Sequence, residues 1–322
     1  MNVLVYTENW DGKFKKLSYE LVSYAKALAG MAGGEVVALS IGEVAGDELA
    51  SLGKYGADKV LNAVAAPEGL DNQLYTAIIA SAVEKSGAAL VLLAHNNAGK
   101  ALAPRVSVKL KAGLVSGVNA LPTTIAPLEL SKKVFSGKAV GIVKVNTEKA
   151  VLTLAQNSFE ISETAGDAVV EAFDAGLDMS AARTKIKDVQ KQDGKLLLSD
   201  AEVVISGGRG MKSAENWAPL EELAEVLEGA TACSRPVSDE GWRPHAEHTG
   251  QTGKIIAPNL YMAFGISGAI QHLAGVSSSK CIVAVNTDKD APIFESADYG
   301  IVGDALKVLP ELIAELKAVK AQ

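Results

Sequence analysis

GQTGKIIAPNLYMAFGISGAIQHLAGVSSSKCIVAVNTDKDAPIFESADYG, residues 250–300 of a 322-residue chain, is the stretch whose reading decides the fold. Its apolar runs at 260–264, 281–285 and 299–302 alternate with short helical or turn segments. Short apolar runs in that order are the pattern of a parallel sheet. Gly265, Ile266, Ser267 and Gly268 let the backbone turn sharply from a strand into a helix whose first N–H groups have no internal partners. Such free donors suit a phosphate or another electron-rich oxygen. The stretch therefore reads as a sheet edge that carries a dinucleotide. ATP hydrolysis is a weak reading: no GxGxxG is present, and only two residues separate Gly250 from Gly253 where a P-loop needs four.

Working outward, residues 201–206 begin this second α/β unit, 217–227 form a capped amphipathic helix, and 305–319 close the chain as a terminal helix. Ahead of it, residues 180–199 are rich in Lys, Asp and Gln and read as a linker. The first half alternates strand candidates at 3–7, 35–40, 59–61 and 89–94 with helical spacing at 17–29, 72–85 and 100–111. From about 113 to 159 the character changes to short β runs at 134–135, 139–144 and 150–154, as in a meander, which predicts an antiparallel edge. The expected fold class is α/β. An N-terminal alternating α/β domain with an antiparallel β extension spans 1–185, a linker 186–199, and a doubly wound parallel-sheet domain 200–322.

Composition narrows the function classes. A hydrophobic share of 48% with 21% charged residues fits a globular protein of two cores. No apolar run approaches the ~18 residues of a membrane helix, so membrane insertion is not expected. The chain opens directly on the strand pattern Met1, Asn2, Val3, Leu4, Val5, Tyr6, with no leader pattern, and a cytoplasmic location is the expectation. A formal charge of −7 argues against a nucleic-acid surface. Cys233 and Cys281 lack any metal or redox spacing and read as small packed residues. His245 and His248 lack a convincing third ligand, so no metal is expected; their loop reads as the edge of a ligand site or as solvent-exposed.

An ordered series of motifs resembles the C-terminal, FAD-binding domain of the electron-transferring flavoprotein alpha subunit. It comprises SGGRG at 206–210, SRP at 234–236, DEGW at 239–242, GQTGK at 250–254, GISGAIQHLAG at 265–275, APIF at 291–294 and ADYG at 297–300. The N-terminal half resembles that family less specifically, through NVLVYTE at 2–8, YGAD at 55–58 and LVLLAH at 90–95. The resemblance implies FAD in the second domain with its ring facing a beta subunit, which itself holds AMP, or a second FAD in bifurcating relatives that use NADH. It also implies flavoprotein dehydrogenases as electron donors and a quinone reductase as acceptor, with no substrate site in this chain.

Carried over residue by residue, the resemblance places Arg235, beside Ser234, against the flavin, where an always-protonated guanidinium stabilises negative charge on the reduced ring. The alternative is a surface arginine paired with Asp239 or Glu240. Thr252 is placed at the N5 edge with Gln251 beside it, unless the 250–254 loop is simply a tight turn. His272 is placed near O2, unless it is only a packed histidine. Ser267 and Gln271, in the turn and helix after Gly265 and Gly268, take phosphate, ribityl or ring contacts. Asn286 and Asp298 are expected at strand ends on the adenosine side, and Arg209 either binds the pyrophosphate or shapes its glycine loop. Thr287 departs from the family, which often has lysine there. Two other readings remain in view. One is an NAD-using transferase, for which Lys254 is the tempting group; the other is a nucleotide-binding module without redox chemistry.

Overall fold

The computed structural model describes residues 1–67, 69–135, 137–164, 166–189 and 196–320. It divides into two compact units, Met1–Gln190 and Lys191–Gln322. The expected linker at 186–199 includes residues 190–195, which lie outside the described residues.

In the first unit, Val3–Tyr6, Val36–Ile41 and Leu90–Ala94 are buried along their whole length. Strands apolar on both faces belong at the centre of a sheet covered on both sides. The order runs Ala139–Val145, Leu128–Val134, Gly113–Val118, Ala150–Leu154, Leu90–Ala94, Val3–Tyr6, Val36–Ile41, Lys59–Ala63, Val169–Ala172. From Gly113–Val118 onward all pairings are parallel, and the first two strands form the antiparallel extension. Helix Lys16–Ala32 covers one face through Leu21, Val22, Tyr24 and Leu28. Helices Asn72–Ser86 and Asn97–Leu110 cover the other through Ile78, Ile79, Leu102 and Val106. Each of these helices has a local cause. Asp71 accepts from the Gln73 and Leu74 N–H groups, Asn96 accepts from Gly99, and Gly33 ends the first helix in the left-handed region.

One expectation is corrected. Residues 150–154 are no part of a meander: Ala150–Leu154 lies parallel between Leu90–Ala94 and Gly113–Val118. All five residues are buried, and a fully apolar run of that length has its place in the sheet centre rather than at an edge. On the antiparallel side the sheet ends instead at Ala139–Val145, whose alternate residues are exposed.

The second unit is a five-stranded parallel sheet ordered Ala230–Cys233, Val203–Gly207, Leu260–Phe264, Cys281–Asn286, Tyr299–Val302. Helices Ala218–Val226 and Ala305–Lys320 pack Leu220, Leu223, Leu309 and Ile313 on one face. Ile256, Ile266, Val276 and Ile293 cover the other. The helix beginning at Ala218 has no side-chain cap, contrary to expectation. Trp217 holds the N-cap position and instead extends a 3-10 turn, Ala214–Trp217, into it. In this order the chain first passes one way from its opening strand and then the other, so a topological switch point lies between Val203–Gly207 and Leu260–Phe264. Ligands of open α/β sheets bind at the carboxyl edge there.

Candidate functional site at the carboxyl edge of the second sheet

Two glycine turns meet at the switch point. The Gly208 N–H donates to Phe264 O (2.8 Å), and the Gly210 N–H donates to Gly265 O (3.0 Å). A Cβ on Gly208 would stand 2.1 Å from Gly265 O, and Gly265 has φ +63°. Only residues without side chains let the two backbones touch in this way. The opening beside them, a cleft of about 670 Å³, is of the size used for organic ligands. Arg209, Ser234, Arg235, Gln251, Thr252, Gly265, Ser267, Gln271, His272 and Asn286 all line it.

The remaining two expected residues lie elsewhere. Gly268 is buried behind the turn, where a Cβ would strike the Ile293 backbone at 2.3 Å. Asp298 requires a correction. It precedes the strand Tyr299–Val302 rather than ending one, and its Oδ2 accepts from the Ile282 N–H (2.7 Å) at the start of Cys281–Asn286. In a parallel sheet, strand starts and strand ends lie at opposite edges, so Asp298 faces away from the cleft.

Ser234 follows the strand Ala230–Cys233 and donates its N–H to Gly207 O (3.1 Å). Arg235 opens the short helix Arg235–Asp239 and pairs through Nε with Asp239 Oδ2 at 3.3 Å. Both side chains are more than 60% exposed, so the pair is weak and leaves the guanidinium available at the cleft rim. The loop at 250–254 is indeed tight: Gly253 N–H donates to Gly250 O, and Lys254 N–H to His248 O. It is also stitched to the next helix by the Gln251 N–H, which donates to Gln271 O (2.7 Å). Gln251, Thr252, Ser267 and Gln271 are exposed along the cleft, whereas Asn286 donates to Ile266 O (2.9 Å) and accepts from the Asp288 N–H (3.0 Å).

The back wall is buried and imidazole-rich. His272, in the first turn of helix Ile270–Val276, has a pKa driven down to about 4 by burial, so it is neutral at neutral pH. His248 is lowered by burial first and then by the nearby His245 and Arg235. Both line the cleft, are at least nine-tenths buried, and have an Nδ1 without a hydrogen-bond partner among the described residues. Sequence reasoning left the loop of His245 and His248 open between the edge of a ligand site and solvent, and did not count His248 among the binding residues. Its signal was its place two residues ahead of Gly250. Asp239 and Thr249 also line the cleft and were not singled out as binding residues.

Guanidinium groups, hydroxyls and buried imidazoles around a glycine-walled crevice at a switch point define a protein that binds a nucleotide cofactor. Residues 3–178 match the electron transfer flavoprotein domain, and residues 197–277 match the electron transfer flavoprotein FAD-binding domain. The chain belongs to the electron transfer flavoprotein family, as one of its alpha subunits. Electron transfer flavoprotein subunit alpha of Bacillus subtilis is 39% identical over 324 residues, covering 98% of this chain and 97% of that protein. The Syntrophomonas wolfei subunit of the same name is 37% identical, covering 97% and 98%. Among solved structures, a thiamine diphosphate-dependent 4-hydroxybenzoylformate decarboxylase of Rhodococcus jostii RHA1 is 10% identical with a TM-score of 0.23. It covers 97% of this chain and 59% of that one, a likeness too slight to carry an argument.

The residues present fit FAD. The two unpartnered imidazole nitrogens and the exposed Arg235 and Thr252 suit the polar edges of a flavin. Arg209 and the 265–269 turn suit its phosphates.

Proposed function

We propose that this chain is the alpha subunit of a heterodimeric electron carrier that holds FAD in the second-unit cleft. It would accept electrons from flavoprotein dehydrogenases and pass them to a quinone reductase, in the cytoplasm. Among the described residues no helix is long and apolar enough to cross a membrane. The observation that carries the reading is the convergence of Arg235, Thr252 and His272 on one cleft at the switch point.

Bound FAD supplies the electron storage, and this chain's side chains set its energy. Arg235 offers a permanent positive charge to a ring that gains negative charge on reduction. The Thr252 hydroxyl both donates and accepts, so it can follow a protonation change at N5. His272 would serve O2, Ser267 and Gln271 the phosphate, ribityl or ring contacts, Arg209 the pyrophosphate and Asn286 the adenosine side. Asp298 has no part in it. Lys254 lines a different hollow, with Leu198, Ala230 and Glu247, and is not among the residues lining the cleft, which gives little support to an NAD-using transferase.

A beta subunit is the expected partner, carrying AMP or a second FAD. The exposed Phe135, Val140 and Ile142 on the first unit's antiparallel extension offer it an apolar surface. The test is co-production with a beta subunit, stepwise reduction followed by visible spectroscopy, and identification of the released nucleotides. One FAD with one AMP supports the ordinary carrier, two FAD support a bifurcating one, and the absence of flavin refutes the proposal.

A further inference from the structure

Behind the cleft lies a buried hydrogen bond that the contacts above do not use. Tyr261 Oη and His272 Nε2 are 2.7 Å apart, joining the strand Leu260–Phe264 to the first turn of helix Ile270–Val276. Tyr261 is completely buried and His272 is 7% exposed. The Ser206 and Thr249 hydroxyls lie beside the phenol, and the Thr249 backbone carbonyl lies beside the imidazole.

A neutral imidazole carries one N–H and one bare nitrogen, and which is which depends on its partners. Burial raises the Tyr261 pKa, so the phenol keeps its proton and must give it to an acceptor. An imidazole nitrogen at 2.7 Å is a stronger acceptor than an alcohol oxygen, and the Ser206 hydroxyl can donate to the phenol oxygen instead, while the Thr249 hydroxyl donates to Cys233 O. With the phenol donating to Nε2, the ring proton resides on Nδ1. Nδ1 is also the ring nitrogen that lacks a hydrogen-bond partner among the described residues.

We propose that Tyr261 is a positioning residue that fixes His272 as the Nδ1–H tautomer, so that a buried N–H donor faces the electron-rich edge of bound FAD. The functional half of this rests on the FAD reading above; the tautomer half does not. A donor held in that state strengthens its bond as the facing oxygen gains charge, and therefore favours the reduced cofactor.

The test uses full-length chain labelled with 15N-histidine, with and without FAD, and the His272 signals assigned by their loss in His272→Gln. In the parent, the proton-bearing nitrogen of His272 is expected to be Nδ1. In Tyr261→Phe the proton is expected to move wholly or partly to Nε2. A parent signal showing Nε2–H, or an unchanged tautomer in Tyr261→Phe, would overturn the proposal; if the variant does not fold, the parent spectrum decides alone. A second arm compares the potential of FAD in the heterodimer. Tyr261→Phe should shift it negative, by the equivalent of about tenfold in the reduction equilibrium. The same change in a His272→Gln background should shift nothing. Equal shifts in both backgrounds would mean a merely structural role and overturn the proposal. Failure of the parent to hold FAD would count against the cofactor reading while leaving the tautomer result standing.

Discussion

Gly275→Ala is a substitution whose sign depends on this structure. Gly275 lies inside the helix Ile270–Val276, where alanine is ordinarily better than glycine by ~1 kcal/mol. Here an added Cβ would meet Gly250 at 2.4 Å from Cα, 2.6 Å from N and 2.7 Å from C. Ordinary contact begins at 3.4 Å, so helix and loop must separate by about 1 Å. Backbone atoms cannot rotate aside as a side-chain tip can, and overpacking of this kind costs ~1–3 kcal/mol. The clash therefore outweighs the helix gain by about 1 kcal/mol, equivalent to a fall in Tm of roughly 2–4 °C. The displacement passes directly to the cleft, because the Ile256 N–H donates to Gly275 O (2.9 Å) and the Gln251 N–H to Gln271 O (2.7 Å). We expect FAD to bind about tenfold more weakly, since Gln251 and Thr252 move with the loop. Thermal unfolding and fluorescence titration of FAD measure both quantities. A variant with a raised Tm and undiminished FAD affinity would refute the reasoning.

Arg235→Ala should leave stability within about 0.5 kcal/mol, because the pair it loses is exposed. Its bound FAD should titrate at a more negative potential, by some tens of mV at about 59 mV per ~1.4 kcal/mol for a one-electron step; an unchanged titration would remove Arg235 from its role. Asp298→Ala should cost about 1 kcal/mol of stability through the unpaired Ile282 N–H, with FAD affinity unchanged, as equilibrium unfolding and FAD titration can show. His95 and His272 are each held, mainly by burial, at about 4 instead of the usual 6.5. The unfolded chain takes up protons between those values that the folded chain refuses, so stability should fall as pH drops from about 6.5 to about 4. His95→Gln and His272→Gln should each flatten that slope in urea unfolding measured across the window, and parallel slopes would contradict the assignment.

Much of the second unit was legible because its signals are local. The run at 260–264 is the strand Leu260–Phe264, and the turn at 265–268 follows it, since apolar stretches and glycine conformations are properties of a few neighbouring residues. Even there the helix starts only at Ile270. What sequence could not supply was set by distant partners. Asp298 is not of that kind: it directly precedes the apolar run at 299–302, so the local pattern already set it at a strand start and the expectation of a strand end misread it. The strand Ala150–Leu154 follows a hairpin in the chain but pairs with Leu90–Ala94, about sixty residues earlier. Val169–Ala172 has neither alternation nor burial to announce it, and exists as a strand through its pairing with Lys59–Ala63. Tyr261 reads as one more apolar residue in a strand; its partner eleven residues on becomes visible only when strand and helix pack.

The central claim is that the flavin ring occupies the cleft bounded by Arg235, Thr252 and His272. A crystal structure of the FAD-loaded heterodimer tests it most directly. The account predicts the ring in that cleft, with Arg235, the Thr252 hydroxyl and His272 Nδ1 each within hydrogen-bond reach of it. A ring bound elsewhere, or one that none of these three side chains touches, would contradict it.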